Sequence, residues 1–181
     1  MKKKDYLGLF KRKGDGSYAY EGRFAETSLE EADYRRVRRR FFLWGVLPVA
    51  AGIAAGCFPP AVMPAHILVM APFAVALIFS FRMLLCGIRL FEYGNTGRLR
   101  EYIYRRTLLT LPKEAAVITA STAILAVVCP VLKAVRGGDD SFSMRGILWL
   151  VCVLVMTLSS LMIRKEAAIM NFRIKEEEIS Q

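Results

Sequence analysis

Arg82 has the most unusual position of any charged residue in this sequence. It is the first charge after a long apolar run, and the apolar pattern continues past it to Ile88. An arginine inside a membrane-spanning segment is costly and marks a candidate site for an anionic substrate or lipid. The uncharged runs of the predicted crossings contain no Asp or Glu to pair with it, since Glu114 only bounds the third run, so we expect its side chain to reach phosphates at the membrane surface. Binding of an anionic substrate is the alternative.

Two further groups of arginines lie next to apolar segments. One group precedes the first apolar run, and the other follows the second. The guanidinium group binds phosphate through two parallel hydrogen bonds, and arginines beside a membrane attract anionic lipid headgroups. With Arg82, the predicted lipid- or partner-binding residues are Arg35, Arg36, Arg38, Arg39, Arg40, Arg105 and Arg106.

The four cysteines fall one in each predicted crossing, at Cys57, Cys86, Cys129 and Cys152. Cys57 and Cys129 lie near the outer ends of their segments, so a disulfide between them is geometrically allowed. Membrane thiol oxidoreductases rely on paired cysteines such as CxxC, and this sequence has no such pair. We therefore expect the thiols to act as small buried apolar groups.

No pattern in the sequence points to a metal centre or a catalytic site. Met63, His66 and Met70 share one helical face and offer soft ligands suited to Cu(I), but methionine is a common packing residue and the chain has a single histidine. The sequence contains no phosphate-binding loop, nucleophile elbow or zinc-binding helix. We expect no metal, no cofactor and no catalytic residue, and predict that the protein is not an enzyme.

The apolar segments determine the predicted fold. Between Phe41 and Phe81 there is no Lys, Arg, Asp or Glu, and about 20 helical residues cross a hydrocarbon core of ~30 Å, so this run contains two crossings. Two more uncharged segments follow. Because lipid cannot satisfy backbone groups, the segments must be helical. The predicted crossings are residues 41–58, 61–88, 114–132 and 146–163.

The sequence therefore predicts an all-α integral membrane protein with four transmembrane helices arranged as two helical hairpins. The short N-terminal arm is expected to contain a β-hairpin that joins residues 6–12 to 17–25. An interfacial helix is predicted over 98–111. The predicted regions are a basic cytoplasmic arm and juxtamembrane helix (1–40), the transmembrane domain (41–164) with a cytoplasmic elbow (92–113), and a cytoplasmic tail (165–181).

The distribution of positive charge predicts the topology. Lys and Arg number 12 before Phe41, 7 in residues 82–113 and 4 after residue 163, whereas the two remaining loops carry 0 and 3. The positive-inside rule then places both termini and the middle loop in the cytoplasm, and we expect the plasma membrane. The net charge of +10 is explained in this way, so we expect no nucleic-acid partner.

Small residues predict how two of the helices pack. Gly52 and Gly56 form a GxxxG pattern in the first crossing, and Ala116, Ala120 and Ala123 recur in the third. Small residues let membrane helices approach closely. We expect the first and third crossings to pack together, or one of them to form a homo-oligomer contact.

Three functions are compatible with this sequence. The favoured one is a non-catalytic accessory or interaction subunit that docks a protein or anionic lipid at its cytoplasmic face, with a homo-oligomer or a membrane complex as its setting. The first alternative is a small oligomeric transporter or channel in which Arg82 contacts an anionic substrate. The second is a membrane thiol oxidoreductase, which requires the Cys57–Cys129 bridge.

Overall fold

The computed structural model of the protein describes residues 10–12, 14, 17–20, 22–57, 67–93, 97–135 and 144–174. The predicted helix ends near residues 58 and 61, together with Met63 and His66, lie outside this part of the chain. In chain order the elements are β1 (Phe10–Arg12), β2 (Tyr18–Tyr20), β3 (Phe24–Thr27), α1 (Glu31–Cys57), α2 (Ile67–Tyr93), β4 (Arg98–Arg100), α3 (Glu101–Arg106), α4 (Leu111–Val135), α5 (Met144–Met170) and β5 (Phe172–Ile174).

The described chain is mostly helical, and four of its helices, α1, α2, α4 and α5, are long and apolar enough to span a membrane. Their outward faces carry large apolar side chains, and Ile53, Ile78 and Leu154 are each more than half exposed. Such exposure suits contact with lipid, whereas a water-soluble protein rarely shows so large an apolar surface. The described residues thus contain the predicted number of helices that could span a membrane. Their polar ends extend beyond the predicted crossings.

The four helices form a ring in which α1 packs on α2 and α5, and α4 packs on the same two helices. The predicted packing of the first crossing on the third is therefore wrong, because α1 and α4 lie diagonally opposite. A Cβ atom at Gly52 would meet Leu77 of α2 at 2.7 Å and Met156 of α5 at 3.4 Å, so the GxxxG face serves these two neighbours. Ala116, Ala120 and Ala123 lie on the exposed side of α4.

A small antiparallel sheet joins three segments that are far apart in the sequence. β3 is the central strand and pairs with β4 and β5, with Glu26 opposite both Arg98 and Arg173. The predicted helix over 98–111 is replaced by strand β4, the six-residue helix α3 and a turn that leads into α4. The chain is therefore not all-α. β3, β4 and β5 pair with strands that are distant in the sequence, so no local hairpin pattern marked them.

Within its described residues, the N-terminal arm contains the predicted hairpin. β1 pairs with β2 in an antiparallel register that places Phe10 opposite Tyr20. Rings from this hairpin stack on α3, because the Tyr20 and Tyr102 ring centroids lie 5.8 Å apart. The guanidinium of Arg100 lies 5.5 Å from the ring centroid of Phe10 and 5.2 Å from that of Tyr20. Aromatic and cation–π contacts thus attach the hairpin to the rest of the protein.

One face of the three-stranded sheet packs against the helix ends. Ala25 and Leu99 are fully buried in the same apolar cluster as Tyr34 and Ile103. The hydroxyl of Thr27 donates a hydrogen bond of 2.5 Å to the carbonyl oxygen of Met170 and so joins β3 to the end of α5. The sheet therefore covers one end of the bundle. We call this the polar end; α1 and α4 begin there, and α2 and α5 end there.

Candidate functional site at the polar end of the bundle

Most of the predicted arginines lie on the surface of the polar end. Arg35, Arg36, Arg39 and Arg40 are exposed in the first turns of α1, and Arg105 and Arg106 are exposed on α3. Two of them form ion pairs within their own helix, Arg35 with Glu31 at 3.2 Å and Arg105 with Glu101 at 2.7 Å. The other four form no ion pair with any described residue, and we call this set the arginine collar. Its members are Arg36, Arg39, Arg40 and Arg106.

Arg38 differs from the other arginines of α1 because its side chain is buried, with 8% exposed. Its guanidinium lies 4.5 Å from the ring centroid of Phe91 in α2 and 5.9 Å from that of Tyr34. The interaction of a cation with an aromatic ring is strongest when water is excluded. Arg38 therefore connects α1 to α2, and its guanidinium is turned away from the exposed arginine surface on which the sequence had placed it.

Arg82 has a carboxylate partner, so the expectation that no Asp or Glu could pair with it is wrong. An Nη atom of Arg82 in α2 lies 2.7 Å from Oε1 of Glu114 in the first turn of α4. The Glu114 side chain is only 5% exposed, whereas that of Arg82 is 53% exposed. The guanidinium also lies 5.2 Å from the ring centroid of Phe79. This pair neutralises a charge that α2 carries well inside its apolar length.

Sequence reasoning missed Glu114 because it treated this residue as the boundary of the third crossing. The helix begins three residues earlier, at Leu111, so Glu114 lies inside α4 and turns toward α2. The available signal was Pro112, since proline is favoured in the first turn of a helix and places Glu114 within the helix. Only the packing of α4 on α2 brings the two charges together.

A second buried carboxylate, Glu166 of α5, was also missed. It is 7% exposed, and its Oε2 atom has no hydrogen-bond partner in the described part of the protein. The same is true of Oε2 of Glu114. Buried carboxylate oxygens without partners are costly and uncommon in proteins. The polar end therefore contains two carboxyl groups that are not fully satisfied.

Hydroxyl groups connect α4 to α5 deeper in the bundle. The Oγ atoms of Thr119 and Ser160 lie 3.0 Å apart, and the Thr157 hydroxyl donates to that of Thr122 at 2.8 Å. The Oγ1 atoms of Thr119, Thr122 and Thr157 also lie within hydrogen-bond distance of the carbonyl oxygen four residues earlier in their own helix. Hydrogen bonds of this kind stabilise the packing of membrane helices by roughly 0.6 kcal/mol each. We interpret them as contacts that hold α4 and α5 together.

All four cysteines are free thiols, and Cys57 and Cys129 are not joined. Cys86 and Cys129 are buried, as expected for small apolar side chains. Outside the membrane-spanning helices, burial raises the pKa of Tyr20 above its usual value of 10.0, and the negative charge of Glu101 adds to the shift. Tyr20 is thus a neutral phenol, and it donates a hydrogen bond to the Arg23 carbonyl.

No protein-family model, no curated protein and no solved structure matches this chain. Its function must therefore be inferred from the geometry of its own side chains.

Proposed function

We propose that this chain is a non-catalytic, multi-pass protein of the plasma membrane that docks on anionic lipid headgroups through the arginine collar. The observation that carries the proposal is a set of exposed arginines at the polar end that form no ion pair with a described residue. A guanidinium without an internal partner is available to phosphate. Each such arginine near an anionic membrane surface contributes roughly 1 kcal/mol to the attraction.

The depth of the collar supports lipid as its partner. Arg39 and Arg40 directly precede Phe41, where the uncharged part of α1 begins. At ~1.5 Å per residue, Arg36 lies about 8 Å from that point along the helix axis. The headgroup layer of each leaflet is about 5–8 Å thick, so the three collar residues of α1 fall within the depth of the lipid phosphates.

The position of the sheet supports cytoplasmic termini. β3, β4 and β5 come from the N-terminal arm, the middle segment and the C-terminal segment, and they meet at one end of the bundle. These three segments carry most of the positive charge outside the apolar runs. The positive-inside rule assigns such an end to the cytoplasm.

The decisive experiment measures lipid binding to the purified protein in mild detergent by native mass spectrometry. Replacing Arg36, Arg39 and Arg40 with Gln removes three contacts, so we expect about 100-fold weaker binding of phosphatidylglycerol. Binding of phosphatidylcholine should not change. Arg35→Gln is the matched control, because Arg35 is already paired with Glu31. Equal binding of phosphatidylglycerol by the folded triple variant and the parent protein would exclude lipid docking by the collar.

The same preparation tests for a protein partner. A second protein that copurifies in fixed stoichiometry, and is lost in the triple variant, would make that protein the ligand of the collar instead of lipid. A protein that copurifies equally with the triple variant must bind elsewhere and leaves lipid docking intact.

A small transporter or channel is the second candidate, and the two buried carboxyl groups favour it. Glu114 and Glu166 lie within helices of the membrane domain, where ionisable residues often line a path for ions or substrates. The test is uptake or conductance in proteoliposomes, with Arg82→Ala as the variant. Activity that disappears in this variant supports transport, whereas an absence of any activity in the parent protein opposes it.

A further inference from the structure

The three-stranded sheet carries charged residues on the face that points away from the helix bundle. Glu26 lies opposite Arg98 on one side and Arg173 on the other, so these three side chains form a row across the strands. Residues paired in this way lie on the same face of a sheet. The opposite face holds the buried residues Ala25 and Leu99, so the charged row points away from the helices.

A cleft of about 640 Å³ lies beside this row, between β3 and β5. Its volume is within the range of small-molecule sites, which is roughly 300–1,000 Å³. Two exposed arginines from separate segments, Arg23 and Arg173, line it together with the Ser28 hydroxyl and the Asn171 amide. Neither arginine forms an ion pair with a described residue. Most of the polar side chains that line the cleft can therefore donate hydrogen bonds.

Among the described residues that line the cleft, Glu26 carries the only carboxylate, and it is paired with an arginine outside the cleft. Oε1 of Glu26 lies 2.5 Å from Nε of Arg98, which belongs to β4 and is not part of the cleft lining. No ion pair with a described residue offsets the positive charges of Arg23 and Arg173. Two guanidinium groups with added hydroxyl and amide donors match the oxygens of a phosphate group.

The distance from the membrane distinguishes this cleft from the arginine collar. The cleft residues of β3 precede the start of α1 at Glu31, ten residues before Phe41, and those of β5 follow the end of α5 at Met170, seven residues after Ile163. These intervals correspond to ~15 Å and ~10 Å along the helix axes, both more than the thickness of a headgroup layer. A lipid phosphate in the same membrane does not extend this far, whereas a soluble molecule reaches the cleft freely.

We propose that the cleft lined by Arg23 and Arg173 binds the phosphate group of a soluble ligand. This site is separate from the collar, so its existence does not depend on the proposed lipid docking. It gives a membrane protein with no recognised catalytic motif a means to respond to a phosphorylated solute.

The test uses the full-length protein in phosphatidylcholine nanodiscs and inorganic pyrophosphate as the probe, titrated by calorimetry at constant ionic strength. We expect saturable binding that becomes at least ~10-fold weaker in each of Arg23→Gln and Arg173→Gln, because each variant loses a charge-assisted contact. Arg173→Lys keeps the positive charge but loses the paired donors of the guanidinium, so its affinity for pyrophosphate should lie between those of the parent protein and Arg173→Gln. Arg145→Gln is the matched control and should bind as the parent protein does, because Arg145 is exposed at the start of α5, at the opposite end of the bundle. Arg39→Gln tests separately whether the collar binds the probe.

A second arm compares the soluble source with lipid by titrating short-chain phosphatidic acid in place of pyrophosphate. The absence of saturable pyrophosphate binding by the parent protein would overturn the proposal, and so would equal binding by folded Arg23→Gln and Arg173→Gln variants. Cleft-dependent binding of phosphatidic acid without binding of pyrophosphate would also overturn it, since the source would then be lipid. Loss of pyrophosphate binding in the Arg39→Gln variant would assign the binding to the collar and overturn the proposal as well.

Discussion

Replacing Arg82 and replacing Glu114 should lower the stability of the protein by different amounts, although the two residues form one ion pair. The Glu114 carboxylate is buried with 5% of its side chain exposed, and the Arg82 side chain is 53% exposed. Removing the partner of a buried charge leaves that charge uncompensated in a nonpolar environment, which costs roughly 3–5 kcal/mol of stability. Arg82→Met keeps an apolar side chain at this position but leaves the Glu114 carboxylate without its positive partner. Because part of the site is solvent-accessible, we expect the lower end of that range, about 3 kcal/mol.

Glu114→Gln should destabilise the protein much less than Arg82→Met does. The amide oxygen of glutamine can still accept the Arg82 hydrogen bond at the position of Oε1. The arginine itself is half exposed and reaches the polar interface, so the expected loss is about 1 kcal/mol. In the double variant no buried charge remains, and we expect a smaller loss than in Arg82→Met alone.

Thermal unfolding in a mild detergent, followed by the retained monodisperse fraction, measures these differences. For a chain of this length 1 kcal/mol corresponds to about 2–4 °C, so Arg82→Met should lower Tm by about 6–12 °C and Glu114→Gln by about 2–4 °C. The control is Arg89→Met, another arginine of α2, for which the structure shows no ion pair with a described residue. Equal losses for the two single variants, or a double variant that shows their sum, would refute the argument from unequal burial.

Two further predictions concern packing and the N-terminal hairpin. Gly52→Val should destabilise the bundle by about 1–3 kcal/mol, because the added Cβ atom would lie 2.7 Å from Leu77. Gly56→Val should have little effect, because the nearest atom to its added Cβ lies at 3.9 Å. Thermal unfolding compares the two variants, and similar losses of stability would contradict close packing at Gly52. Arg100→Ala removes the cation–π contacts to Phe10 and Tyr20 of the hairpin, which together contribute about 1–2 kcal/mol. Hydrogen exchange at the β1 amides should therefore become about 5–30-fold faster. An unchanged exchange rate would show that these contacts do not hold the hairpin in place.

The number of membrane-spanning helices follows from local features of the sequence. The length of an uncharged run, compared with the thickness of the hydrocarbon core, determines how often the chain crosses it. The requirement for satisfied backbone groups makes each crossing helical. Both conditions depend on consecutive residues, which is why the runs after Phe41, Glu114 and Arg145 predicted the helices found in the structure.

Helix neighbours could not be predicted in the same way. A small-residue face indicates where a helix can approach another, but it does not name the partner. Gly52 predicted a close approach without a named partner, and in the structure Leu77 of α2 and Met156 of α5 lie next to it. The alanines of α4 met the same compositional criterion and yet lie on the outside of the ring.

The candidate sites depended most strongly on tertiary structure. Arg38 lies in a row of arginines that look alike in sequence, and only the position of Phe91 distinguishes its environment from that of its exposed neighbours. Arg82 and Glu114 are separated by more than thirty residues, and Glu26 and Arg173 by many more. The sequence by itself determined that this chain forms a helical membrane protein with a basic end, because hydropathy and charge act locally. The tertiary structure alone decided which charges are paired, buried or available, because that depends on contacts between distant segments.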